Sequence, residues 1–261
     1  MKPYSIAGVN ALPEEEKKAL YARFIPTQLL EIFDLSKDFL DDEGRPLLTL
    51  KARSGSTNVV LSLRHRFEAL DPLLYAHLTD TMNGQIHVLL YIINDPRSPR
   101  FDVDKMPDGT PTEFGTAVRN LAAEEAAREA GLAPGQVRSG LRILRHSIDH
   151  FEKFVTTLGH DIYFIEPLYY HNAIIFEGYG FAYQQGRRLM ERIQSGFTDE
   201  GELLSKLDGS SPFRGPDAHA SIRGRSWAIH DGILDQHFAN VTMFKEVDQH
   251  AGLQTFPNAL W

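Results

Sequence analysis

Cysteine is absent from this chain of 261 residues. Its absence excludes disulfide bonds, thiolate nucleophiles and metal centres with cysteine ligands. Positive charge is also scarce, because 27 lysines and arginines stand against 35 aspartates and glutamates, and the formal net charge is −8. A chain with that charge lacks the general cationic surface that attracts nucleic acid or anionic lipid, so we expect neither as a partner. A local basic patch for one anionic ligand is compatible with this composition.

Long apolar segments are lacking as well. The longest run, residues 86–93, has the length of a strand and contains His87, whereas a membrane-spanning helix needs about 18 apolar residues. The first residues do not show the charged and then apolar layout of a signal peptide. We therefore expect no contact with a membrane and a cytoplasmic location.

The remaining composition is that of an ordinary globular protein, with 42% hydrophobic and 24% charged residues. Such a chain can bury a sizeable core. The order of the sequence patterns predicts three parts. These are a helical N-terminal extension over residues 1–46, a core over residues 47–197 with an insertion at about residues 94–133, and a C-terminal extension over residues 198–261 that packs on the core.

The first half of the predicted core has the patterns of β-structure. Apolar and polar residues alternate over residues 59–67, as in a half-buried strand. Apolar stretches at residues 47–52, 73–80 and 85–93 predict three more strands. Asn83-Gly84 lies between two of these stretches and is a strong hairpin signal, because both residues tolerate positive φ. Together the patterns predict an antiparallel meander over residues 47–93.

The second half of the core alternates between helices and strands. Apolar residues recur every three or four positions from Val137 to Leu158, which predicts an amphipathic helix that Gly159 ends. Residues 198–226 are rich in glycine, serine, proline and aspartate, a composition that favours loops. The other patterns predict helices at residues 113–130, 172–177 and 186–193, and strands at residues 161–166, 181–183 and 241–247.

Three short blocks carry a resemblance to a known family. Residues 132–142 read LAPGQVRSGLR, residues 158–167 read LGHDIYFIEP, and residues 176–181 read FEGYGF, with Asn172 between the last two. In this order, with a helix after the first block, they resemble the second half of the core of the GNAT N-acyltransferase superfamily. The resemblance implies an α/β (α+β) fold with a mixed, largely antiparallel sheet flanked by helices. It also implies acetyl-CoA or another acyl-CoA as the candidate cofactor.

In that family the first block receives a pyrophosphate at the N-terminus of a helix, where backbone N–H groups and the helix dipole attract an anion. Gly140 matches the central glycine of the motif. Val137 stands where the family has Arg or Gln, and Arg142 stands where it has a small residue. The candidate cofactor-binding residues are therefore Gly140, Arg138, Arg142 and Asn172.

Glu166 and His171 are the candidate catalytic residues. Glu166 ends the strand predicted at residues 161–166 and His171 follows closely, so a carboxylate and an imidazole can converge there for acid–base chemistry. A glutamate in this position can instead cap the next helix. The tyrosine that the family often uses as general acid corresponds to Phe176, which has no proton to donate.

These features support two functional hypotheses. In the first, the chain keeps the fold, has lost or altered acyl-CoA chemistry, and binds a small anionic ligand or a partner through Arg138, Arg142 and a basic, aromatic stretch near its C-terminus. In the second, the chain is a diverged N-acyltransferase that moves an acyl group from acyl-CoA to a small amine. The sequence leaves open whether the chain is an enzyme.

Three further patterns have competing interpretations. His146 and His150 have a spacing that suits a metal ion, but a solvated helix face explains them as well, and we expect no metal site. The basic, aromatic stretch can bind an anion, contact a subunit or form a solvated loop around a buried tryptophan; it contains Arg214, Arg223, Arg225, Trp227 and His230. The apolar residues 256–261 are expected to pack on the domain or on a second copy in a homodimer.

Overall fold

A computed structural model describes residues 3–112, 115 and 118–261. The strands in these residues are β1 (Leu48–Lys51), β2 (Asn58–Leu63), β3 (Leu74–Asp80), β4 (Ile86–Ile93), β5 (Ile162–Ile165), β6 (Ala182–Gln185) and β7 (Thr242–Glu246). The α-helices are α1 (Ile6–Asn10), α2 (Glu14–Ala22), α3 (Thr27–Ile32), α4 (Leu121–Glu129), α5 (Leu144–Thr157), α6 (Tyr170–Gly178), α7 (Arg187–Gly196) and α8 (Ile222–His230).

The strands form one sheet in the order β1-β2-β3-β4-β5-β7-β6. Strands β1 to β4 are successive antiparallel neighbours, whereas β5 runs parallel to β4. The predicted fold class, α/β (α+β) with a mixed, largely antiparallel sheet and helices, is thereby confirmed. Among the described residues, no helix combines the length and the apolar character needed to cross a membrane.

Backbone contacts divide the chain into two compact units. The first unit comprises the residues up to Arg97, Gly140–Glu166 and Phe244–Gln249. The second unit comprises Ser98–Ser139, Pro167–Met243 and His250–Trp261. The sequence-based division into residues 1–46, 47–197 and 198–261 stays a prediction.

The meander predicted over residues 47–93 is confirmed by strands β1 to β4 of the first unit. On β2, the alternation places Val59, Leu61 and Leu63 in the core. The hairpin between β3 and β4 turns at Gly84, whose φ is +75° and whose N–H donates to the carbonyl of Thr81 at 2.9 Å. The positive φ explains why glycine occupies this position.

The N-terminal helices complete the core of the first unit. Asp80, the last residue of β3, accepts hydrogen bonds from the backbone N–H groups of Ile6 and Ala7 at 2.6 and 2.9 Å. A carboxylate at this end of α1 satisfies N–H groups that have no partner within the helix. Phe24, just after α2, packs on α5, and its ring centroid lies 5.4 Å from that of Phe154.

The long helix predicted from Val137 to Leu158 was wrong at its beginning, because α5 starts at Leu144. Arg142 has a φ of +58°, in the left-handed region, where a right-handed helix cannot continue. The apolar repeat before Leu144 therefore does not belong to the helix. The end is as predicted, since Gly159 has a φ of +86° directly after the helix.

The stretch 198–226 is mostly loop, as predicted, with two short 3₁₀ segments at Leu204–Lys206 and Pro216–Ala220. Helix α8, which was not predicted, begins at Ile222, and the hydroxyl of Ser221 caps it by accepting from the N–H of Gly224 at 3.0 Å. The helix predicted over residues 113–130 is described only from residue 118 onward, apart from Gly115, and α4 begins at Leu121. The other residues of its predicted first turn lie outside the described part of the chain.

Candidate functional site

Strands β4 and β5 of the first unit pair over a short distance and then part. The paired residues are His87 with Phe164 and Val88 with Ile165, and the N–H of Glu166 then donates to the carbonyl of Val88 at 3.1 Å. Strand β5 ends at Ile165, while β4 continues for five residues, from Leu89 to Ile93. Along this stretch β4 has no strand pairing with β5.

The stretch from Leu89 to Ile93 is apolar, yet each of its residues is only half-buried. Strand β5, which pairs with the first part of β4, has already ended beside these residues, so it does not cover them. The register with β3 also shifts here, because His77 pairs with Leu90 and Leu78 pairs with Val88, so that Leu89 is an extra residue. β-bulges of this kind redirect backbone groups and side chains and are common beside active sites.

His87 and Glu166 face each other where the two strands begin to part. The Nε2 atom of His87 lies 3.9 Å from Oε1 of Glu166, which is too long for a hydrogen bond. That nitrogen is buried and has no hydrogen-bond partner among the described residues, whereas the Glu166 side chain is 45% exposed. A buried polar atom without a partner marks a place where a water molecule or a ligand group can bind.

Burial lowers the pKa of His87 below its ordinary value, and the charge of Glu166 opposes this shift only partly. The imidazole is therefore neutral at neutral pH and able to accept a proton. Glu166 was predicted from the sequence as a site residue, whereas His87 was not. The signal was a single histidine in an otherwise apolar strand, which pattern analysis cannot distinguish from a histidine on a half-buried face.

The other candidate residues of the first unit lie at the opposite end of the unpaired stretch. A Cβ atom at Gly140 would lie 3.3 Å from the carbonyl oxygen of Ile93, so the chain passes very close to the end of β4. Helix α5 begins four residues later, with no side-chain cap at Ile143 and no acidic residue in its first turn. Arg142 is exposed and lies just before this helix. Such a helix N-terminus favours an anion.

Three predicted site residues belong to the second unit. The guanidinium of Arg138 donates to the carbonyl of Ser98, and Asn172 lies half-buried in the first turn of α6. His171 is 2% exposed, and its Nδ1 atom lies 2.8 Å from the hydroxyl oxygen of Ser226. Burial, assisted by the nearby His230, lowers the pKa of His171 to about 3. This imidazole is a neutral core residue of the second unit.

The second unit also contains a buried network of charged side chains that no sequence pattern indicated. Oε1 of Glu124 lies 3.0 Å from Nε2 of His230, and Oε2 accepts two hydrogen bonds from Arg119 at 2.8 and 2.6 Å. Arg119 also donates to Asp231 at 2.8 Å, and Arg214 donates to the other oxygen of Asp231 at 2.8 Å. Each carboxylate has hydrogen-bond partners for both of its oxygens. This arrangement favours a stabilising role for the network over a reactive one.

His146 is exposed and His150 is half-buried, in agreement with the solvated-face interpretation, and each imidazole also has a contact within the first unit. Nδ1 of His146 lies 3.2 Å from the amide nitrogen of Gln28, and Nδ1 of His150 lies 3.3 Å from the carbonyl oxygen of Arg23. The N-terminal helices therefore contact this face of α5. No group of three or more metal-ligating side chains is found in the part of the chain that the structure describes.

Comparison of the chain with protein-family models, with curated proteins and with solved structures finds no match. The resemblance to GNAT acyltransferases therefore stays a prediction.

Proposed function

We propose that the first unit binds an extended anionic ligand along β4. The charged end of the ligand would lie at the N-terminus of α5, beside Gly140 and Arg142, and its other end would lie at His87 and Glu166. The observation that carries this proposal is the continuation of β4 for five apolar, half-buried residues beyond its last pair with β5. We also propose that the protein is located in the cytoplasm.

The length of the unpaired stretch limits the ligand class. Five residues of strand at about 3.3 Å each span roughly 17 Å. A ligand that reaches both ends must be long, must be able to lie against an apolar strand and must carry a phosphate or another anion at one end. Acyl-CoA and its analogues have that layout. The close approach of Gly140 to Ile93 also fits, since a larger side chain there would displace the backbone.

A second candidate function is N-acyl transfer, and the His87–Glu166 pair favours it. An acyl-CoA would supply the activated acyl group. The neutral imidazole of His87 can accept the proton that an attacking amine must lose, and the exposed carboxylate of Glu166 can hold the amine as a cation before that step. Phe176 provides no acid for the leaving group, so this chemistry requires another donor or a leaving group that departs as an anion.

Calorimetric titration with coenzyme A and with acetyl-CoA tests the binding proposal. Saturable binding at micromolar levels is the expected result. Arg142→Gly should weaken it about tenfold, because the variant loses a guanidinium but keeps a residue that tolerates a φ of +58°. Arg53→Gln, which removes an exposed arginine from the turn before β2, is the matched control and should bind normally.

Three outcomes would count against the proposal. Failure of both ligands to bind at about millimolar concentration would exclude coenzyme A and its acyl esters as ligands. Equal losses in Arg142→Gly and Arg53→Gln would indicate nonspecific charge attraction. Tighter binding in Arg142→Gly would show that the arginine blocks the site.

A further inference from the structure

Two phenyl rings and a carboxylate lie next to the imidazole of His87 in the first unit. The ring centroid of Phe164 on β5 lies 6.3 Å from that of His87 and 6.5 Å from that of Phe244 on the adjacent strand β7. Glu166 completes the group, with its carboxylate 3.9 Å from the imidazole. The four side chains thus follow one another in contact, and together they are termed the aromatic face.

The phenyl rings of the aromatic face are only partly covered. Phe164 and Phe244 are half-buried, whereas their neighbours along the two strands, Tyr163, Ile165 and Lys245, are 2%, 8% and 6% exposed. Successive side chains of a strand point to opposite sides of the sheet, so one side here is buried and the other is partly open. An open side usually carries polar residues. Two adjoining phenyl rings in that position offer an apolar contact to a ligand.

The carboxylate of Glu166 gives the aromatic face its charge. This side chain is 45% exposed, and among the described residues it forms no ion pair with a lysine or an arginine. Its one charge contact there is His87, whose pKa is lowered by burial, so that the imidazole is neutral at neutral pH. The faces of phenyl rings also attract cations. The aromatic face therefore favours a cationic ligand over an anionic one.

The distance between Glu166 and His87 suits one particular kind of cation. At 3.9 Å the two side chains are too far apart for a direct hydrogen bond, yet one donor group can reach both of them at about 2.8 Å. A primary ammonium has three N–H donors and can bond to the carboxylate and to an unprotonated Nε2. That nitrogen is buried and has no other partner among the described residues. A quaternary ammonium has no N–H group and would leave both acceptors without a bond.

We propose that the aromatic face binds a primary amine with an aromatic or similarly apolar body. The ammonium group would lie between Glu166 and His87, and the apolar body would lie against Phe164 and Phe244. The role of this amine as acyl acceptor rests on the acyl transfer proposed above, whereas its binding needs no acyl-CoA.

Calorimetric titration of the full chain at neutral pH, without coenzyme A, tests this site with three probes. Phenethylamine has both the ring and the ammonium, ethylamine lacks the ring, and phenylacetate carries a carboxylate in place of the ammonium. Phenethylamine should bind at least about tenfold more tightly than ethylamine, because its ring gains the contact with the two phenylalanines. Phenylacetate should show no binding, because Glu166 repels it.

Two variants assign the binding to the aromatic face. Glu166→Gln should weaken phenethylamine binding about tenfold by removing the counter-charge, whereas Glu31→Gln, an exposed glutamate of α3, is its control. Phe244→Leu should weaken it about fivefold. Its control is Phe67→Leu, which changes a 45% exposed phenylalanine between β2 and β3. Both controls should bind phenethylamine within about twofold of the wild type.

Several results would overturn this site. These are no saturable binding of phenethylamine to the wild type up to about 10 mM, equal affinity for ethylamine, or equal losses in the variants and their controls. A wild-type dimer that dissociates in Phe244→Leu would assign the aromatic face to a second copy of the chain. Binding of coenzyme A without phenethylamine would reject this site alone, whereas binding of phenethylamine without coenzyme A would support it and reject the ligand proposed along β4.

Discussion

The carboxylate of Glu124 on α4 and the imidazole of His230 at the end of α8 meet at 3.0 Å inside the second unit, where the two side chains are 2% and 8% exposed. Their contact excludes any side chain at position 115, since a Cβ atom on Gly115 would lie 2.8 Å from the imidazole ring. The pair joins two helices that are more than a hundred residues apart in the chain. Its contribution to stability is therefore a tertiary effect that no local pattern encodes.

Glu124→Gln should destabilise the second unit by about 3 kcal/mol, because it leaves Arg119 with only one buried carboxylate partner. Burial raises the pKa of Glu124, but the hydrogen bonds from His230 and Arg119 outweigh that effect and hold it below its usual value. The stabilisation is thus present above the unfolded pKa and is lost as the pH falls through the folded one. Urea denaturation of the wild type and of the variant at neutral pH measures the first effect, and the difference between the two proteins should shrink as the pH is lowered below about 4.

Glu129→Gln is the control for this variant, since Glu129 is an exposed residue near the end of the same helix. We expect its free energy of unfolding to stay within about 0.5 kcal/mol of the wild type. If Glu124→Gln lowers the free energy of unfolding no more than Glu129→Gln does, the network does not stabilise the second unit.

Gly135→Ala should be strongly destabilising because two effects combine. Gly135 has a φ of +77°, and a Cβ atom there would lie 2.4 to 2.5 Å from three atoms of the Tyr169 side chain. The positive φ alone costs about 1 kcal/mol and the steric overlap adds about 2 kcal/mol. Gly209→Ala separates these terms, because Gly209 has a φ of +74° with no atom within 4 Å of the added Cβ. Thermal unfolding of both variants should show the larger loss at position 135.

The contacts of Glu124 and Gly135 join residues that are distant in the chain, whereas the parts of the fold that could be predicted from the sequence depend on neighbouring residues. The β1–β4 meander followed from alternation and from the Asn83-Gly84 turn, both of which act within a few residues. Helix α8 was missed because its stretch is rich in loop-forming residues. Its stability depends on Ser221 as a cap and on Trp227, whose indole N–H donates to the carbonyl of Leu132 at 2.9 Å.

In the candidate site, too, local sequence patterns did not predict the contacts between distant residues. Glu166 was predicted from its place at the end of a strand, but its partner His87 comes from β4, and only the parallel pairing of β4 with β5 brings the two together. The start of α5 was misplaced because the backbone conformation of Arg142 is not visible in an apolar repeat. His171 was expected to be a reactive group, yet its neighbours in the folded chain make it a buried, neutral one.

His171 should make the stability of the protein depend on pH in the mildly acidic range. Burial and the neighbouring His230 lower its pKa from 6.5 to about 3, so the unfolded chain binds a proton that the folded chain does not. Stability is therefore complete above the unfolded pKa and falls by about 1.4 kcal/mol for each pH unit below it, or roughly 2 kcal/mol between pH 6.5 and pH 5. His171→Phe should abolish that slope.

Ser226→Ala is the matched control for this slope. It removes the hydrogen bond to Nδ1 of His171 but keeps the buried imidazole. Its stability should be lower at every pH, with the slope retained. Equal slopes in His171→Phe and the wild type, measured by urea denaturation from about pH 5 to pH 7, would assign the pH dependence to other groups.

His87 distinguishes ligand binding alone from acyl transfer. In His87→Gln, the affinity for acetyl-CoA should stay within about threefold of the wild type, because the proposed anion contacts lie at the far end of β4. The rate of acyl transfer to a panel of small amines should fall about 10²-fold or more if the imidazole is the proton acceptor. His77→Gln, a change of the same type on the neighbouring strand β3, should alter neither quantity. An unchanged rate of acyl transfer in His87→Gln would show that another group accepts the proton of the amine. If the wild type binds acetyl-CoA but transfers no acyl group, the chain is a binding protein. His87 and Glu166 would then be contacts for the distal end of the ligand.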